Sequence, residues 1–249
     1  IVGAGGLGSP VAWLLAQSGV RRFTLADDDV VALDNLHRQI LYRDEDVGLP
    51  KVEVLARRLR TAGATDVETM GRVVPETAAA AVSDHDLVVE GADNFATKFL
   101  VADACGIARV PCAQAGVVRR SGWALLADGA GAHACLRCLF EDVPRHADTC
   151  SEAGVVGPLV GVIAALQARL ALRALLGDDV AGTLHAFDLG RDREPRTTRV
   201  RARRDCPLCG THDIASIRED RYLSGCTADV ADVGLAASAP THEPRGLPA

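Results

Sequence analysis

Aromatic side chains are scarce in this chain: Phe, Trp and Tyr together make up 4% of its 249 residues, and there is a single Met. A core of ordinary size must therefore be assembled from Ala, Val and Leu, within a hydrophobic content of 48%. A surplus of positive charge is also lacking, since 27 Lys and Arg face 33 Asp and Glu, a net charge of −6. Dedicated nucleic-acid binders usually carry a basic face, so that class is set aside. Phosphate binding is not excluded, because a few local cations suffice for it. No uninterrupted apolar run is long enough to span a bilayer. The nearest candidate, residues 155–177, is broken by Gly157, Pro158 and Gly161 and then by Gln167, Arg169 and Arg173. Arginines at mid-span are costly in hydrocarbon, so this segment reads as a buried core helix and no membrane partner is expected.

Cysteine, by contrast, is present eight times. The chain is long for a disulfide-stapled secreted domain, and it does not read from residue 1 as a secretory leader. Four of the cysteines form two Cys-x-x-Cys pairs, Cys135/Cys138 and Cys206/Cys209. Two such pairs in a reducing compartment point to one tetrahedral Zn²⁺ with a closed sulfur shell, a structural rather than hydrolytic site. A cytoplasmic location is expected on this ground. Cys105 and Cys112 lie in apolar surroundings and read as core.

The length suits one large α/β domain. Ile1 and Val2 read as the last residues of a strand. Helices are expected over 11–18, 51–62, 77–83 and 95–107, and strands over 22–26, 67–74, 86–90 and 110–113. This alternation predicts a doubly wound, Rossmann-like, mostly parallel sheet. Beyond Gly116 the pattern changes to a mixed C-terminal extension, with strands expected over 123–126, 183–188 and 197–202 around the long apolar helix. From Thr211 to the end the periodicity fades, and 211–249 reads as a disordered tail after a domain of 1–210.

Gly3-Ala4-Gly5-Gly6-Leu7-Gly8 fits G-x-G-x-x-G between a strand end and a helix start. Such glycines permit a tight turn and let backbone N–H groups, Gly5 and Gly6 among them, approach phosphate at a helix N-terminus. Asp27 ends the next strand, about 20 residues on, where a carboxylate would accept ribose hydroxyls. The pattern alone fits NAD, FAD and ATP binders alike.

The stretch from Asp27 through Asp29 to Asn35, Arg38 and Gln39 narrows the choice, together with Gly48-Leu49-Pro50-Lys51 and Asp93-Asn94. With the two cysteine pairs, Cys150 in C-x-E-A-G-V and the G-P-L-V-G of 157–161, the order resembles the ThiF/MoeB/HesA family of ubiquitin-activating-like adenylyltransferases over residues 1–210. The resemblance implies ATP-dependent adenylation of the C-terminal glycine of a small ubiquitin-fold sulfur-carrier protein ending in Gly-Gly, with release of pyrophosphate. The pathways implied are those of molybdopterin, thiamine or a related product. It implies Arg38 and Lys51 as cations on the phosphates, Asp93 as the Mg²⁺ ligand, and Asn35, Gln39, Asn94 and Asp29 around the nucleotide. Cys150 matches a cysteine that takes part in sulfur or acyl transfer in several members; an incidental thiol is the other reading. A homodimer, a separate sulfur donor, and an N-terminal helix and strand ahead of Ile1 are implied too. Asp34 stands where the family often has Ser, which would add negative charge near the phosphates.

Other readings remain open at this point. The same adenylation could serve another peptide carboxylate in a natural-product pathway. An inactive scaffold could bind a ubiquitin-fold partner. A nicotinamide oxidoreductase would explain Gly3 to Gly8 and Asp27, but not Arg38, Lys51 or the cysteine pairs.

Overall fold

The structure is a computed structural model, and it describes residues 1–129, 131–142, 154–191 and 194–222. Cys150, Cys226 and residues 223–249 lie outside the described residues. Among the described residues, seven strands carry the fold: β1 (Arg22–Ala26), β2 (Asp66–Met70), β3 (Val88–Glu90), β4 (Cys112–Val118), β5 (Ser121–Ala127), β6 (Thr183–Asp188) and β7 (Arg196–Arg199). The helices are α1 (Gly8–Gln17), α2 (Lys51–Thr61), α3 (Pro75–Ser83), α4 (Phe95–Ala108), α5 (Leu136–Phe140) and α6 (Gly157–Leu175).

β1 and β2 pair in parallel, as do β3 and β4. Val2 forms parallel bridges to Ala26 on one side and Glu90 on the other, joining the two halves. The order across the sheet is thus β2, β1, the Val2 stub, β3, β4, then β5, β6 and β7. The α/β, Rossmann-like expectation describes the first half. The second half is wholly antiparallel, with β4, β5, β6 and β7 paired in succession. The mostly parallel expectation thus holds for the first half, and the C-terminal extension, expected to be mixed, pairs antiparallel throughout. The physical reason is local: only Arg119 and Arg120 separate β4 from β5, and two residues can close a hairpin but not a parallel crossover.

Two hydrophobic clusters lie on opposite faces of the sheet. One packs α1, α2 and α6 through Val11, Leu15, Leu55, Leu59, Leu159 and Ile163. The other packs α3 and α4 through Ala78, Val82, Phe99 and Ala102. β4 shows how one strand serves both, since Ala113, Ala115 and Val117 join the first cluster and Cys112 the second. α2 is amphipathic at helical spacing, with Val52, Leu55, Ala56 and Leu59 inward and basic side chains in its last turn. α6 is long and apolar enough by composition to cross a membrane. In this fold it lies on the sheet, and buried Gln167 donates to the carbonyls of Glu90 (2.7 Å) and Ala113 (2.8 Å).

Residues 211–222, assigned to the tail from sequence, are packed. Ile214 and Tyr222 are buried, and the Tyr222 hydroxyl donates to Asp103 at 2.8 Å. That carboxylate also takes two hydrogen bonds from Arg137, at 2.7 and 2.9 Å, while the Arg137 guanidinium lies 4.8 Å from the centre of the Phe99 ring. Arg137 is 2% exposed and Asp103 0%. Removing one partner of such a buried pair leaves an uncompensated charge, so Arg137→Ala is expected to cost about 3–5 kcal/mol in urea unfolding. Arg173→Ala, which breaks an exposed pair with Asp178, is expected to cost less than about 1 kcal/mol.

Candidate active site

The carboxyl ends of the parallel strands open into a cleft of about 880 Å³ between the glycine loop, the residues after β1 and β2, and the segment 91–94 after β3. This is where open α/β sheets place ligands. Gly5, Gly6, Asp27, Asp29, Arg38, Gln39, Lys51, Asp93 and Asn94 all line it.

Close backbone approaches shape the glycine loop. Gly3 has φ +87°, and a Cβ there would lie 2.9 Å from the backbone of Gly91 and Ala92. A Cβ on Gly6 would lie 2.9 Å from the Arg38 carbonyl and 3.0 Å from Val160. The loop thus holds the Arg38 turn against itself. Asp27 secures it from the other side, accepting the N–H of Ala4 at 2.6 Å and that of Asp29 at 2.8 Å. Burial pushes the Asp27 pKa above the usual carboxylate range, against those two N–H groups and the charge of Lys51.

The cations differ from one another. Lys51 is expected as a cation on the phosphates. It is 3% exposed and paired with Asp29, Nζ to Oδ2 2.8 Å. Its place in the first turn of α2, whose buried face meets the sheet, leaves the ammonium no freedom to wander. The guanidinium of Arg38 has no ion-pair partner among the described residues, and the exposed Asp93 carboxylate likewise has none. Asn94 lines the cleft but also caps α4, its Oδ1 accepting the Thr97 N–H at 2.8 Å.

Two expectations are corrected. Asn35 is not among the residues lining the cleft. It ends a short 3₁₀ turn, and its carbonyl accepts the N–H groups of Arg38 (3.1 Å) and Gln39 (3.0 Å), so it shapes the turn instead of facing the ligand space. Asp34 is exposed and outside the cleft, so its charge does not fall among the lining groups. His37, beside it, is exposed and bonded to the Asp34 carbonyl at 2.8 Å. Sequence reasoning missed Asp28, Arg72, Thr97, Lys98 and Val155, which also line the cleft. Arg72 pairs with Asp28 at 3.1 and 3.2 Å, and this contact raises the arginine's pKa. Arg72 sits just past the end of β2, the kind of place that picked out Asp27, but the strand expected over 67–74 hid that signal.

On the far side, Cys135, Cys138, Cys206 and Cys209 place their sulfurs within 4.8 Å of one another. Cys135 lies 4.0 Å from Cys138 and 3.6 Å from Cys206, and Cys138 lies 3.4 Å from Cys209. Disulfide sulfurs would be about 2 Å apart. Cys105 and Cys112 are buried free thiols in the core.

The profile of the ThiF family matches residues 1–210. The chain belongs to the ThiF family. Among ThiF-family relatives, the sulfur carrier protein ThiS adenylyltransferase of Escherichia coli is 39% identical over 214 residues, covering 84% of each chain. The SAMP-activating enzyme E1 of Haloferax volcanii is 36% identical over 234 residues, 91% of this chain and 85% of that one. The adenylyltransferase and sulfurtransferase MOCS3 of Caenorhabditis briggsae is 36% identical, and this chain spans 59% of its length. Among solved structures, E. coli MccB with MccA-N7isoASN has a TM-score of 0.73 at 24% identity, covering 84% of this chain and 66% of that one, a likeness of fold.

A methyl group at Gly6 has no room, whereas one at Gly161, inside α6, meets nothing within 4 Å. Gly6→Ala is expected to cost about 1–3 kcal/mol of stability by displacing the Arg38 turn. Gly161→Ala is expected to add about 0.5–1 kcal/mol. Chemical denaturation of both variants checks the pair.

Proposed function

We propose that this chain uses ATP to adenylate the C-terminal glycine carboxylate of a small ubiquitin-fold sulfur-carrier protein. The observation that carries the reading is the convergence of the glycine loop, Arg38, Lys51 and Asp93 on one cleft. The names of the relatives at 36–39% identity support the choice of carrier over another peptide carboxylate.

The chemistry follows from what the cleft presents. A carboxylate resists nucleophiles because its oxygen is a poor leaving group. In the reaction the carrier's carboxylate oxygen bonds to the α-phosphorus of ATP, the bond from that phosphorus to the β-phosphate bridging oxygen breaks, and pyrophosphate carries away the electron pair. An anion must therefore approach a polyanion. Arg38, with no ion-pair partner among the described residues, bridges phosphate oxygens. Lys51, held in place by Asp29, presents a fixed positive charge. Gly5 and Gly6 offer backbone N–H groups, and Asp27 receives the ribose hydroxyls. Asp93, exposed and unpaired at the rim, fits a Mg²⁺ ligand of the kind that retains several waters. Bound there, Mg²⁺ supplies neutralisation of charge on the phosphates.

The four sulfurs fit a Zn²⁺ ion. With Zn–S bonds of about 2.3 Å, a tetrahedron has edges of about 3.8 Å, and the closest sulfur pairs lie 3.4–4.0 Å apart. A closed sulfur shell makes the site structural, tying residues 206–209 to the start of α5. Such a thiol site suits a reducing compartment, the cytoplasm. Exposed Leu33, Ile40 and Leu49 around the Arg38 turn supply apolar surface for a homodimer. Cys150 is a thiol for the step after adenylation, when a sulfur nucleophile attacks the acyl carbon and AMP leaves; a separate protein donates the sulfur.

ATP–pyrophosphate exchange with purified carrier candidates tests the reading. Asp93→Ala is expected to lower exchange by about 10²–10³-fold with unchanged circular dichroism, and Cys150→Ala to leave exchange intact. Exchange that survives loss of Asp93 counts against its metal role. Elemental analysis is expected to give one zinc per chain, and chelation under reducing conditions to lower the melting temperature. A metal-free chain that melts unchanged removes the structural role.

A further inference from the structure

Beneath the cleft floor is a buried ion pair that no step above uses. Glu90 ends β3 at 0% exposure, and Lys98, in the first turn of α4, is 5% exposed. Lys98 Nζ lies 2.9 Å from Glu90 Oε2 and also donates to the Ala115 carbonyl at 2.5 Å. The other carboxylate oxygen, Oε1, accepts the N–H of Ala92 at 2.7 Å. The Glu90 carbonyl is held by Gln167, and the Gly91 N–H donates to Val2 at 2.8 Å. One carboxylate therefore grips the residue just before Asp93 with one oxygen and the helix just after it with the other.

Taking both charges out of water is costly, and a well-packed apolar pair of similar volume is often as stable or more so. Stability alone gives weak reason for charges here. The effect of burial is visible in Glu90, whose pKa is raised by desolvation, opposed by Lys98 and the Ala92 N–H, and raised further by the nearby charge of Asp93. What the pair does provide is a rigid mount for a short loop whose exposed member, Asp93, lines the cleft.

We infer that Glu90 and Lys98 form a positioning pair for Asp93: the Oε1–Ala92 hydrogen bond sets the loop that aims the Asp93 carboxylate, and the Lys98 contact to Oε2 holds Glu90 in that orientation. The role rests on the adenylation reading for its kinetic readout. Lys98 also lines the cleft, so the competing account is that its ammonium itself touches substrate.

Three variants separate the two accounts, scored by ATP–pyrophosphate exchange against Mg²⁺ concentration, with urea unfolding to verify the fold. Lys98→Met strands the buried carboxylate, and exchange is expected to fall at least about tenfold. In Glu90→Gln/Lys98→Met no charge is buried and the Gln Oε1 can still accept from Ala92, so exchange is expected to return to within about threefold of wild type. In Glu90→Leu/Lys98→Met the filling is apolar but the acceptor is gone. The Mg²⁺ needed for half-maximal exchange is then expected to rise about tenfold or more, with kcat at saturating Mg²⁺ largely kept. A Gln/Met variant as impaired as Lys98→Met overturns the proposal in favour of direct contact by the ammonium. A Leu/Met variant with the wild-type Mg²⁺ requirement overturns it as well. If Lys98→Met does not fold, the two double variants carry the test. Absence of exchange in the wild type would strike the adenylation reading instead, and Mg²⁺-dependent ATP binding by calorimetry would then read the positioning on its own.

Discussion

A carboxylate cut off from water has to be met by its neighbours, and Glu90 is met at every polar atom of its side chain. Around it meet the Val2 stub, the loop 91–94, α4 through Lys98, β4 through Ala115, and α6 through Gln167. These are the elements that border the cleft, so the satisfaction of one buried group and the geometry of the ligand space are a single problem. The Rossmann-like crossing of the sheet brings strand ends together. The Glu90 network fixes how far apart they stand, because polar groups left unpaired in a core cost more than the bonds return when made.

The four-cysteine knot bears on the same region from behind. Arg137 lies between two of the sulfur residues in sequence, yet its side chain turns inward to Asp103 on α4, where Tyr222 joins it. The knot is thus fastened to the middle of the helix whose first turns carry Asn94 and Lys98. The cysteine cluster in this fold does more than close a loop, since the residue between its first two thiols helps seat a helix that begins at the cleft.

Much of this was legible from the residues. β1 and β6 fall where alternating apolar side chains put them, and the carboxyl-end rule places Asp27 and Asp93 at one opening. The glycine pattern locates the turn, although α1 begins at Gly8, before its apolar run, because Pro10 is tolerated in a first helical turn. β2 stops at Met70, short of the expected 74, where the chain leaves the sheet and Arg72 turns to Asp28. β4 runs on to Val118 because its partner is the next strand through a hairpin, a relation between two segments that neither displays alone. Residues 211–222 looked featureless because Ile214, Ile217 and Tyr222, which anchor them, make too sparse a pattern to show periodicity. Glu90 and Lys98 were passed over for a related reason. Each reads singly as an ordinary charge at an element's end, and only the fold places them in contact.

The mounting of Lys51 on Asp29 has a consequence for admission to the site. Four acidic groups line the cleft, Asp27, Asp28, Asp29 and Asp93, against Arg38, Lys51 and Arg72, with Glu90 and Lys98 cancelling. Before any ligand arrives the opening is therefore not an electropositive funnel, and a bare tetra-anion gains little from long-range attraction, which water and salt damp over about 8 Å in any case. A triphosphate already wearing its divalent counter-ion carries half that repulsion and brings the positive charge that the rim is short of. An opening with this balance of lining charges favours the ionic form that carries less negative charge.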